Sequence, residues 1–135
     1  MLKKIDHVGV AVQSIQEIKE LFNNLFDMEP SFEEVVEDQK VRVAGYRVGE
    51  SNFEFLEPLE NDSPISKFLE KRGEGIHHIA VTVSDIHQLL EKLKQKGIKL
   101  IDENPRKGAE GKWIAFAHPK SFHGILLEFS QSEEA

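Results

Sequence analysis

A chain of 135 residues, 39% hydrophobic and 30% charged, has the size and balance of one globular domain with a buried core. Its net charge of −7 argues against nucleic acid as a partner, because phosphate neutralisation needs a basic surface; a small anion held by a local group of lysines stays open. No apolar run approaches the ~20 residues of a membrane span. With no cysteine there is no disulfide framework, and any metal must be held by nitrogen and oxygen donors. Met1-Leu2-Lys3-Lys4-Ile5 runs straight into the first strand, so no signal peptide is expected and the cytoplasm is the default location.

In chain order, residues 3–12 alternate as a strand, with His7, Gly9 and Ala11 on one face and Asp6, Val8, Val10 and Val12 on the other. The valine face should meet helices, whereas the small neighbours of His7 leave room for a ligand. Ser14-Ile15-Gln16-Glu17 is a capping box opening a helix whose apolar stripe is Ile15, Ile18, Leu21, Phe22 and Leu25. Residues 31–57 read as three strands: Phe32 to Val36, Val41 to Val48, and Phe53-Glu54-Phe55-Leu56. Acidic Glu37-Asp38-Gln39-Lys40 and Gly49-Glu50-Ser51-Asn52 form the turns between them. Ser63-Pro64 starts a short helix through Ile65, Phe68 and Leu69, which Gly73 and Gly75 end. A strand at 76–83 follows, then a helix with Ile86, Leu89, Leu90 and Leu93 inside and Gly97 as its stop. Ile98 to Ile101, Trp113 to Ala117 and Gly124 to Phe129 are the remaining strands. The Pro105 to Lys112 loop is glycine-rich and basic but lacks phosphate-loop spacing, and a frayed tail is expected over Gln131 to Ala135.

The two halves repeat. Ile5, His7, Val10, Val12 and Ile15 recur 71 positions on as Ile76, His78, Val81, Val83 and Ile86. A period this long, occurring twice, means two similar modules rather than a solenoid. The fold expected is α+β, two βαβββ modules in tandem forming a curved mixed sheet within a single domain over 1–135. Module 1 covers about 1–60, a connector 61–74, and module 2 about 75–131.

Each half carries a histidine on its first strand and a glutamate on its last. Glu54 interrupts Phe53-Glu54-Phe55 as Glu128 interrupts Leu127-Glu128-Phe129. Any one of the four reads alone as a half-buried histidine or a solvated carboxylate. As a matched set they point to a cation, since buried carboxylates are costly unpaired and a divalent ion balances both. His7, Glu54, His78 and Glu128 are therefore the candidate metal ligands, and up to two positions of an octahedron stay open for a chelating oxygen substrate. His77 points away from His78, His87 lies on a helix, His123 sits in a turn, and His118 offers at most a supporting contact.

Asp6-His7-Val8-Gly9-Val10-Ala11-Val12, Phe53-Glu54-Phe55-Leu56-Glu57-Pro58-Leu59, Ser63-Pro64-Ile65-Ser66-Lys67-Phe68-Leu69 and Gly75-Ile76-His77-His78-Ile79-Ala80 resemble the methylmalonyl-CoA epimerase family of the vicinal oxygen chelate superfamily. Ile114 to Ser121 leading into Gly124 to Glu128 extends the likeness nearly end to end. The resemblance implies those same four ligands around cobalt, zinc or manganese, in a homodimer acting on an acyl-CoA. The implied reaction inverts C2 of a methylmalonyl group by proton abstraction and return through a metal-stabilised enediolate. Glu128 and Glu54 are the candidate bases, with Glu37 and Asp38 as a fallback pair. Lys67, Lys71, Arg72, Lys107, Lys112 and Lys120 are candidates for the coenzyme A contacts. Two departures stand out: Val43 occupies a position where some bacterial relatives carry a glutamate, and Glu110-Gly111-Lys112-Trp113 is unusual. A glyoxalase I would use the same metal ligands on a glutathione hemithioacetal. An extradiol dioxygenase would need only three ligands, and a non-enzymatic sequestering protein of this fold usually lacks the set.

Overall fold

The protein, described here by a computed structural model over residues 1–132, divides into two compact units. One is Val8–His77; the other joins Met1–His7 to the chain from His78 onward. Strand β1 (Leu2–Ala11) contributes residues to both.

In the Val8–His77 unit, helix α1 (Ile15–Phe26) precedes β2 (Phe32–Val36), β3 (Val41–Val48) and β4 (Ser51–Pro58), and helix α2 (Pro64–Arg72) follows. The sheet order is β2-β3-β4-β1, with β2, β3 and β4 antiparallel. A two-residue turn, Gly49-Glu50, joins Val48 to its partner Ser51, and Gly49 takes the left-handed φ of +62° that such a turn needs. Residues directly opposed in an antiparallel pair share a face. Ala44, Tyr46 and Phe55 therefore face α1 and pack with Val12, Ile15, Ile18 and Phe22. Phe32, Val43, Gly45, Glu54 and Leu56 take the reverse face. The valine face of β1 meets the helix as expected, but Leu21 and Leu25 are exposed. Ile15 and Phe22 set the direction of the buried stripe, and the 3.6-residue period carries Leu21 and Leu25 to its rim.

The second unit repeats the plan: β5 (Gly75–Val83) enters it from His78, then come α3 (Ile86–Gln95), β6 (Arg106–Lys107), β7 (Trp113–Ala117) and β8 (Leu127–Gln131). The order is β1-β5-β8-β7-β6, with β5 parallel to β8 and both β6–β7 and β7–β8 antiparallel. In each unit the first strand of a module lies beside its last. Val83, Ile86, Leu89, Leu90, Ala115, Ala117 and Phe129 form the core under α3.

The repeat extends to the helix starts. Ser14 Oγ accepts from Glu17 N–H at 3.2 Å, and Asp85 Oδ1 from Gln88 N–H at 3.0 Å. The first helical N–H of each helix is also bound by a distant side chain: Ile15 N–H donates to Glu57 Oε1 and Ile86 N–H to Gln131 Oε1. Gln131 is thus part of β8 rather than of a frayed tail; the rest of that expectation, from 133 on, lies outside the described residues. Residues 98–101 do not form a strand. The N–H groups of Ile101 and Asp102 both turn to Phe116 O, while Lys99 bonds to Ser121, leaving only a single bridge from Leu100 to Ala117. The last strand begins at Leu127, later than expected, because Gly124 (φ +98°) and Ile125 close the turn after Pro119–Phe122. The short β6 was not legible in the basic loop: two residues carry no periodicity.

Candidate metal centre

Three of the four expected ligands converge within one unit. His7 comes from β1, His78 from β5 and Glu128 from β8, all buried. Period-two alternation puts Leu127 and Phe129 against α3 and hands Glu128 to the opposite face, where it lies opposite Ala80 on β5 and Phe116 on β7. His78 follows the same logic, with Phe116 packed edge-on at 5.4 Å.

The donor atoms meet closely. His7 Nε2 is 2.9 Å from His78 Nε2, Glu128 Oε1 is 3.0 Å from His78 Nε2, and 3.5 Å from His7 Nε2. Metal–nitrogen bonds of about 2.1 Å place neighbouring donors about 3.0 Å apart at right angles and about 3.4 Å apart at tetrahedral angles. The observed triangle matches that spacing. Its proton count points the same way. His7 Nδ1–H donates to Asp6 Oδ2 at 2.8 Å, which leaves His7 Nε2 as a lone pair facing a second imidazole nitrogen and a carboxylate. A single proton on His78 Nε2 cannot satisfy both neighbours well, whereas a divalent ion satisfies all three. The residues fit such an ion.

The electrostatics favour anionic Glu128. Burial pushes its carboxyl up, but its contacts with the His7 and His78 imidazoles outweigh this and bring it down to about 2. Asp6 is also driven below the usual carboxylate range: burial opposes this, and His7 and Lys112 prevail. Asp6 is the residue the sequence reading missed, along with its link to Lys112, which was named only as a candidate coenzyme A contact. The alternation of β1 assigned Asp6 to the valine face, and no local signal tied it to a lysine more than a hundred residues away.

Glu54 is buried on β4 in the other unit, on the face away from α1 and opposite Gly45. A Cβ on Gly45 would lie 2.1 Å from the Phe32 ring, so the absence of a side chain there lets Phe32 cover that face. Val43 is buried there opposite Leu56, and its partner on β2 is the half-buried Glu34. Glu37 and Asp38 are exposed in a 3-10 turn. His77 packs on Phe68, His87 and His123 are exposed, and His118 caps the turn after β7 by accepting from Lys120 N–H. Of the basic candidates, Lys67, Lys71, Arg72 and Lys120 are exposed, Lys107 lies over Trp113, and Lys112 reaches Asp6.

The sequence pattern of the glyoxalase/bleomycin resistance protein/dioxygenase superfamily matches residues 6–116. The chain belongs to that superfamily. Within it, the chain is 38% identical to a mitochondrial methylmalonyl-CoA epimerase of Dictyostelium discoideum, over 95% of this chain and 78% of the relative. It is 35% identical to an ethylmalonyl-CoA/methylmalonyl-CoA epimerase of Cereibacter sphaeroides, over 97% and 99%. A solved methylmalonyl-CoA epimerase in complex with methylmalonyl-CoA and NH4+ superposes with a TM-score of 0.93 at 35% identity, over 98% of this chain and 96% of that one. The family and fold expected from the sequence segments are borne out. Among the described residues, no helix is long and apolar enough to cross a membrane.

Proposed function

We propose that this superfamily member is a methylmalonyl-CoA epimerase whose divalent ion is held by His7, His78, Glu128 and Glu54. The observation that carries the reading is the triangle of two imidazole nitrogens and one carboxylate oxygen, in a chain similar to such epimerases from end to end. Glu54 enters as the fourth donor by its matched place in the internal repeat and by its burial on the face of β4 turned away from α1. An all nitrogen and oxygen set suits cobalt, zinc or manganese. The ion would supply electrophilic stabilisation of the enediolate charge that develops when the C2 proton leaves the thioester.

This chain's own residues do the rest. Asp6 holds the His7 ring with its lone pair inward. Inversion needs proton transfer on both faces of C2, and Glu128 and Glu54 are the proposed pair. Glu128 is a weak base while it is held at the centre, so it takes a proton only after loosening from it. A metal-loaded Glu128→Gln variant should therefore lose exchange of the C2 proton with deuterated solvent from at least one epimer. Normal exchange from both epimers sinks the two-glutamate scheme. The activity itself is tested by elemental analysis of the purified protein, followed by epimerase and glyoxalase I assays on the same sample. A metal-loaded protein active only on the hemithioacetal overturns the epimerase reading.

A further inference from the structure

The connection from β6 to β7 is built to deliver one charge. Its 3-10 turn, Ala109–Gly111, holds Glu110 at φ +59° and Gly111 at φ +68°, both left-handed. Gly108 N–H donates to Lys112 O at 2.9 Å, and Lys107 Nζ donates to Gly111 O at 3.0 Å while lying 4.3 Å from the Trp113 ring centre. Gly108 approaches Ile114 so closely that a Cβ there would stand 2.7 Å from Ile114 Cδ1. The turn aims the mostly buried Lys112 at β1. Its Nζ donates to Asp6 Oδ1 at 3.2 Å and lies 3.5 Å from Oδ2, with Glu110 Oε1 further off at 3.6 Å. Thr82 Oγ1 also donates to Asp6 Oδ1, at 3.3 Å. Asp6 Oδ1 thus faces threonine and the nearer lysine contact, while Oδ2 faces the His7 Nδ1–H and the longer lysine contact.

We propose that Asp6 and Lys112 are positioning residues that lock His7 in the tautomer carrying its proton on Nδ1. A buried carboxylate without its cation is costly and would turn outward. That change leaves the His7 Nδ1–H without its acceptor. The alternative tautomer puts the proton on Nε2, aimed at His78 and Glu128, and fills the point where three donors meet. Lys112 thus acts on the centre through two hydrogen bonds, without touching the ion. The metal arm of this inference rests on the function proposed above; the tautomer arm does not.

The test uses full-length, metal-free, 15N-labelled protein. Imidazole 1H–15N correlation spectra should show His7 protonated on Nδ1 in the wild type and in Lys112→Arg, but a mixture or the Nε2–H form in Lys112→Met and in Asp6→Asn. Zinc affinity, measured by chelator competition, should fall 10–100-fold in Lys112→Met and recover to within about threefold of wild type in Lys112→Arg, the range typical of groups that orient metal ligands. An unchanged His7 tautomer in both Lys112→Met and Asp6→Asn overturns the proposal. Wild-type protein that binds no zinc, cobalt or manganese overturns the metal reading instead, and the tautomer spectra still decide the role of Asp6 and Lys112.

Discussion

Three acceptors within 3.5 Å of one another repel unless a cation or a shared proton lies among them, and this dictates the behaviour of single residues at the centre. His78→Ala removes the vertex nearest to both other donors, so the purified variant should retain almost no divalent metal by elemental analysis. His87→Ala, an exposed change on α3, should retain all of it. Full metal occupancy in the His78 variant would refute the ligand assignment. The acid behaviour of the metal-free protein follows from Glu128. Its folded-state pKa is depressed from 4.5 to about 2, so its contribution to stability is fully present above the unfolded value. That contribution is lost as pH falls from about 4.5 towards 2, and Asp6, shifted in the same direction, adds to the loss. Urea unfolding should show a steep fall in stability across this window, flattened in Glu128→Gln. Equal slopes for the two proteins would contradict the hydrogen-bonded carboxylate.

At the scale of elements, two close backbone approaches carry the argument. Gly108 has no room for a Cβ beside Ile114, and Ile114 is buried on β7. Gly108→Ala must push the loop outward or open β7, since the overlap falls on Ile114 Cδ1 at 2.7 Å with the branching Cγ2 and Cγ1 close behind at 3.0 and 3.1 Å. Its cost should be about 1–3 kcal/mol by overpacking, read as a lower urea midpoint, together with weaker zinc binding because Lys112 moves with the loop. A variant as stable as the wild type would show that the loop yields freely. By contrast Gly97, at φ +74° beyond the end of α3, has open space around its missing Cβ. Strain, not overlap, is what a side chain would meet there.

For the whole molecule, the surface of α1 poses the question. Leu21, Leu25 and Phe26 are 47%, 58% and 58% exposed, and lie within two turns of one helix. An apolar group of this kind is costly in water unless another surface covers it. Together with the family resemblance, this motivates a homodimer as the state in solution. Sedimentation at micromolar concentration should give twice the 15.4 kDa chain mass. A monomer there would refute the dimer but leave the fold and the metal centre intact.

The sequence by itself determined the repeat, the helix caps, the faces of β1, β4 and β8, and hence the four candidate ligands. These depend on local periodicity and on turn chemistry, which are written in neighbouring residues. It also carried the family, through segments spread along most of the chain. Only the tertiary structure decided that Ile101 and Asp102 give their N–H groups to Phe116, that Gln131 caps α3, and that Lys112 reaches Asp6. Each of these joins residues distant in sequence through one or two hydrogen bonds. Such a bond imposes no period on the chain, so it leaves no pattern for the sequence to show.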